Sequence, residues 1–310
     1  MKPFPTTIAS PGEGSPPTPT TTTVSIDTII REASSFEEAC KRLIGRYDTR
    51  GVTVVKEIYQ STNPKYDEAH QKGGEIVGFD REGVCCGMSL QWIRLTKNGQ
   101  EIAFHQAIND DWIFFGNAQA ELEMERHNIT KDIKALIGQF EKNRSFIWDY
   151  ERYMGFVDKA KNFLEYRRKL TEQEELEKKM EAQSKGVGEA TNALYEKYIY
   201  LSTSDDLPAK RLKELFRDKA LSVVAPTLTT YFSEPAFYYM ELSGDGKHGI
   251  AFSTLDSGGG KARFMDPNSC DFRFSTLSVM NAFLDDYFQL YLKGNWMWMK
   301  NATCMMLRLL

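Results

Sequence analysis

The chain has no run of 18 apolar residues, so no segment of it is suited to cross a bilayer as a helix. Met1 to Pro19 also lacks the apolar stretch of a cleaved signal peptide. Cysteine is sparse and unpatterned: five residues, at 40, 85, 86, 270 and 304, odd in number and without metal-type spacing. Adjacent Cys85 and Cys86 could not bridge one another without strain, which points to a reduced, intracellular protein with free thiols. Positive charge is not in excess. The 39 Lys and Arg against 43 Asp and Glu leave a net charge of −4, which argues against a nucleic-acid partner. With no metal or cofactor pattern either, any chemistry is expected to come from side chains alone.

What is present divides unevenly along the chain. Residues 1–24 hold six of the eleven prolines and a run of four threonines, a composition too polar to fold and read as a disordered leader. The folded part is expected to be one domain over residues 25–310. Ser35-Phe36-Glu37-Glu38 has the form of a capping box opening a helix that turns Ala39, Leu43 and Ile44 inward. Gly51 to Tyr59 suits a short strand or a helical turn. A helix is expected from Val84 to about Thr96, closed by Asn98-Gly99, with more helix through about Asn143. Residues 156–200 are densely charged, with only a narrow stripe of Leu164, Leu170, Leu176 and Met180. They read as an inserted helical hairpin turning near Ser184 to Gly188, either a solvated projection or an arm for a partner. After Pro208 a short helix (Lys210 to Val223) leads to a strand from Thr227 to Leu242. A hairpin, another strand at Cys270 to Phe274 and a helix from about Leu277 to Leu292 follow. Helices early and an antiparallel sheet late define an α+β fold.

The hairpin carries the most informative pair. Lys247 to Ser253 reads as a strand, Asp256-Ser257-Gly258-Gly259-Gly260 as a turn, and Ala262 to Asp266 as the returning strand. His248 and Asp266 each lie nine positions from Ser257, and residues equidistant from a turn face each other in an antiparallel ladder. An imidazole held by a carboxylate is poised for general-base work. Cys85 supplies a nucleophile: it falls on the opening turn of its helix, where the dipole and free backbone N–H groups favour thiolate and can bind an oxyanion. Cys86, sharing a face with Leu90 and Ile93, is the alternative nucleophile or a core thiol. His70, His105 and His127 read as surface or packing residues, and Asp245, Asp256 and Asp271 as turn or solvent residues. Trp92 reads as core beneath the site, and Trp296 to Met299 as a buried final segment or a membrane-surface patch.

Three blocks together carry a resemblance. Gly83-x-Cys85-x-Gly87-Met88-Ser89-x-x-Trp92, His248-Gly249-x-Ala251 and Phe264-x-Asp266-Pro267-Asn268 are similar to the motif blocks of the papain-like YopT/AvrPphB family of bacterial effector proteases. The resemblance implies a papain-like fold, with Cys85 as nucleophile, His248 as general base and acid, and Asp266 as the orienting acid. It implies a host protein as substrate, no cofactor, and export from a bacterium without a cleaved signal peptide to act in the host cytoplasm. Two departures stand out. Cys85 and His248 are 163 residues apart (248 − 85), an excess that the 156–200 insertion would account for. The family has Asn five residues before its cysteine, where this chain has Asp80. An ionised Asp only accepts hydrogen bonds, so either Asp80 is protonated and serves as oxyanion donor, or Gln71 or Gln91 replaces it, or activity is low. The same triad would equally serve deamidation, transglutamination or acyl transfer, and a degenerate version would be a partner-binding fold without activity.

Overall fold

A computed structural model of the chain describes residues 24–72, 83–200, 212–244, 246–255, 262–295 and 301–309. Residues 1–23 of the expected 1–24 leader, Asp80, Asp245, Asp256 and Trp296 to Met299 lie outside the described residues. The N-terminal helices are α1 (Ile26–Glu32) and α2 (Phe36–Tyr47); strand β1 (Val52–Glu57) and helix α3 (Pro64–Lys72) follow. Next come α4 (Cys85–Lys97), α5 (Glu101–Asp110), α6 (Trp112–Arg152) and α7 (Phe156–Tyr200). The C-terminal third holds β2 (Leu212–Ala220), α8 (Leu221–Val224), β3 (Phe237–Ser243), β4 (Lys247–Ser253), β5 (Arg263–Met265), β6 (Cys270–Phe274), α9 (Leu277–Lys293) and β7 (Thr303–Leu309).

The seven strands form one antiparallel sheet in the order β1-β6-β5-β4-β3-β7-β2. Both faces are covered, and the alternation of side chains along each strand sorts them between two cores. Tyr238, Met240, Ile250, Phe252, Phe264 and Phe272 pack against α1, α2 and α9. Their neighbours Phe237, Tyr239, Ala251 and Met265 pack against α4, α5, α6 and the end of α7. The architecture is therefore α+β, with helices on both sides of an antiparallel sheet. No helix among the described residues is long and apolar enough to cross a membrane.

Local signals set several elements directly. Ser35 caps α2, its Oγ accepting the Glu38 N–H at 3.1 Å, and Ala39 and Leu43 are fully buried. Glu38 completes the cap on Ser34, whose N–H it accepts at 2.8 Å. Elsewhere tertiary pairing prevails over local preference. Residues 212–220, rich in helix formers and expected as a helix, form strand β2, because the edge of β7 offers a ladder for their backbone groups. The expected strand from Thr227 is a 3₁₀ turn (Ala225–Tyr231), and extended structure begins at Phe237. The final segment enters the sheet between β3 and β2 as β7.

The charged region departs most from expectation. Helix α7 runs unbroken for 45 residues through Ser184 to Gly188, where a turn was expected. The hairpin partner is α6, 41 residues long, and the chain reverses at residues 153–155. Two glycines in a helix cost about 1 kcal/mol each relative to alanine, less than packing along α6 recovers. The far end of the hairpin is open to solvent, with Phe156 90% and Leu164 82% exposed. Its root is not: Leu194, Tyr195, Tyr198 and Ile199 of α7 and Phe115 and Leu122 of α6 belong to the core beneath the sheet.

A buried charge network pins that root. Glu241 of β3 accepts Arg126 of α6 at 2.5 Å, Tyr195 of α7 at 2.5 Å and Tyr239 at 3.3 Å, all in the interior. Removing one member of a buried pair strands the other's charge and costs about 3–5 kcal/mol. Arg126→Met is accordingly expected to lower unfolding free energy in urea by about that amount. A loss below about 1 kcal/mol, the level of an exposed pair, would show that water reaches Glu241.

Candidate active site

Helix α4 starts at Cys85 and is buried almost throughout, lying between the sheet and helices α5–α7. No side chain of Val84 caps it, and Gly83 enters with φ +80°, a left-handed conformation suited to glycine. Gln119 of α6 takes part of the capping role, its Oε1 accepting the Gly87 N–H at 2.7 Å. Strand β4 comes against the same turn at Gly249. A Cβ there would lie 2.8 Å from Cys86 Cα and 3.2 Å from Cys85 O, so only glycine allows this approach. Ser89 seals the contact by donating to Gly249 O at 2.7 Å. The motif residues Ser89 and Gly249 thus bring β4, and with it His248, to the first turn of α4, while Gly87 lets α6 approach the same turn at Gln119.

His248 and Asp266 meet, with Nε2 2.9 Å from Oδ1, though by a different route from the ladder expected. Ala251 pairs with Met265, so the ladder's centre lies one residue beyond Ser257 and the residue equidistant from His248 is Asn268. His248 pairs in the sheet with Leu242 instead. Asp266 follows the end of β5, where the chain turns: Ser269 N–H donates to Asp266 O at 2.9 Å, and Asp266 N–H to Cys270 O at 3.1 Å. That turn swings the carboxylate back to the imidazole.

The Asp266 carboxylate is fully buried and fully satisfied. Oδ1 accepts His248 Nε2 and the Asn268 N–H at 2.7 Å; Oδ2 accepts the hydroxyls of Tyr287 at 2.8 Å and Tyr291. Burial pushes its pKa up, but the His248 charge and these donors outweigh that and hold it below the ordinary carboxylate value. For His248, burial opposes the charge, while Asp266 and Cys85 stabilise it and raise its pKa to about 10. The stability contributed by His248 is therefore complete below about pH 6.5 and lost as pH rises through about 10. That of Asp266 is present above the ordinary carboxylate value, near 3.8, and lost on acidification.

All five thiols are buried, Cys85 included. Strand β4 covers it, with Lys247 O 3.4 Å from the sulfur. The carbonyl can accept from a thiol only, so ionisation gives that contact up. Even so, the Cys86 thiol donating to Cys85, and then the His248 imidazolium, outweigh burial and place Cys85 well below the ordinary thiol range. The other four are raised: Cys86 by its bond to Cys85 and by burial, and Cys40, Cys270 and Cys304 by burial, the last two to about 12. Cys86 is fully buried in the core beneath the sheet and packs as a core thiol.

The oxyanion candidates fare differently. Asp80 lies outside the described residues, and Gln71 lies on α3 with its side chain outside them. Gln91 sits six residues beyond Cys85 on α4, about 9 Å along the axis, too far to serve the same turn. Asp271 and His105, expected in turn or surface roles, belong to a second cluster in which Asp271 is fully buried and His105 half-buried. Asp271 Oδ2 accepts Arg263 at 2.6 Å and Trp92 Nε1 at 3.1 Å and lies 3.0 Å from His105 Nε2. It ties α4 and α5 to the sheet. Tyr287, Tyr291 and Gln119 carried no sequence signal beyond helical spacing, which marks core residues just as well.

No family model matches the chain, and no curated protein does. Among solved structures, the crystal structure of Pseudomonas avirulence protein AvrPphB is similar to it, with a TM-score of 0.40 and 14% identity over 74% of this chain and 93% of that one.

Proposed function

We propose that the chain is a cysteine peptidase in which Cys85 is the nucleophile, His248 the general base and acid, and Asp266 the residue that orients the imidazole. One observation carries the reading: Cys85 stands at a helix N-terminus against the strand that presents His248, and that imidazole is held by a buried carboxylate. Asp266 engages Nε2, leaving Nδ1 for the thiol. The thiolate attacks a peptide carbonyl carbon. The resulting adduct collapses as the C–N bond breaks and His248 gives its proton to the leaving amine. Water, deprotonated by the now neutral His248, then hydrolyses the thioester, releasing the acid product and the Cys85 thiolate beside the His248 imidazolium. No cofactor enters any step. The three motif blocks support a papain-like arrangement and a role as an exported effector whose substrate is a host protein.

Identification of new protein N-termini in host cells expressing wild type or Cys85→Ser tests the reading. Cleavage sites present only with wild type are expected. Identical sets of N-termini, with deamidated or adducted side chains in their place, would assign the same thioester to another acceptor, and no difference at all would reject an enzymatic role.

A further inference from the structure

Helix α9 supplies two groups that the motif blocks do not contain. Tyr287 and Tyr291 are four residues apart, hence on one helical face, and both are fully buried. Their hydroxyls converge on Asp266 Oδ2, the oxygen that His248 does not use. The Tyr291 hydroxyl also lies 3.2 Å from His248 Nε2, and the Tyr287 hydroxyl 2.7 Å from that of Ser269. A buried carboxylate without donors would take up a proton or turn away to find partners. With Oδ2 held at two points and the Asn268 N–H on Oδ1, the carboxylate is fixed with Oδ1 facing the imidazole.

We infer that Tyr287 and Tyr291 are positioning residues that hold Asp266 ionised and aimed, and that the thiolate–imidazolium pair of Cys85 and His248 depends on them. The inference rests on the catalytic reading of those three residues. Among the described residues, the titratable groups facing this cluster are Cys85 from α4, Cys40 from α2, Cys270 from β6 and the two tyrosines. The two tyrosines stay protonated, raised by burial and by the Asp266 charge, so they remain donors.

The test is the pH dependence of iodoacetamide alkylation at Cys85, read by peptide mass spectrometry, in wild type, Tyr287→Phe, Tyr291→Phe, the double variant and His248→Ala. Phenylalanine keeps each ring in the core, so a purely structural role would change melting temperature and leave the alkylation midpoint in place. The expected result is an upward shift of the midpoint by about one unit in the double variant, a smaller shift in each single variant, and a neutral-pH rate at least about tenfold lower. A wild-type midpoint well below that of His248→Ala, with unshifted tyrosine variants, overturns the positioning role alone. A wild-type midpoint equal to that of His248→Ala overturns the catalytic reading itself. Should the double variant fail to fold, Tyr291→Phe decides, since Tyr291 touches both Asp266 and His248.

Discussion

Replacing residues 156–200 with a short Gly/Ser linker is expected to abolish cooperative folding. Composition alone points the other way, because the visible stripe over 164–180 is narrow. The decisive residues come later in α7: Leu194, Tyr195, Tyr198 and Ile199 fill the core under the sheet, and Tyr195 donates to the buried Glu241. Truncating one large core side chain costs about 2–5 kcal/mol, so losing four approaches or exceeds the about 5–15 kcal/mol that stabilises a whole domain. Excising only the distal part, residues 134–183, and closing α6 to α7 with a short turn is expected to leave a sharp thermal transition. There the two helices pack mainly on each other. A cooperative melt in the full replacement would show that the root of α7 is dispensable, and loss of folding in the shorter excision would show that the projecting part supports the body.

His248→Ala is expected to abolish turnover, by about 10⁶, and Asp266→Asn to reduce it about 10⁴-fold with the fold retained. Asp266 accepts four hydrogen bonds, whereas an amide offers only one oxygen, so either the imidazole or the tyrosines lose their acceptor. An amide N–H turned toward Nε2 would also select the wrong imidazole tautomer. Cys85 reports the same chemistry without a substrate. Near neutral pH iodoacetamide should label it ahead of Cys40, Cys86, Cys270 and Cys304, whose pKa values are raised. In His248→Ala the imidazolium no longer favours thiolate, so labelling at neutral pH should fall and its midpoint rise toward about 8.5. First labelling at Cys86, or a Cys85 rate unaffected by His248→Ala, would remove Cys85 from the nucleophile's place.

The parts of the site that follow from short-range chemistry were open to reading from the sequence. Cys85 at the start of a helix and a strand that returns antiparallel between His248 and Asp266 are both local statements. The α+β division is likewise a matter of periodicity along the chain. Tertiary structure decided whatever depends on residues distant in sequence. The ladder's register places His248 opposite Leu242, and the turn after β5 brings Asp266 to it, a contact that counting from Ser257 placed in the wrong geometry. Residues 212–220 prefer helix by composition and became strand because β7 gave their backbone a partner. Two glycines in α7 read as a turn because the stabilising face of α6 is invisible to a local window. Tyr287 and Tyr291 read as two more apolar-face residues of an amphipathic helix. Their hydroxyls acquired a role only when α9 was laid across the sheet over Asp266, since a hydrogen bond needs both partners in place and the sequence displays them one at a time.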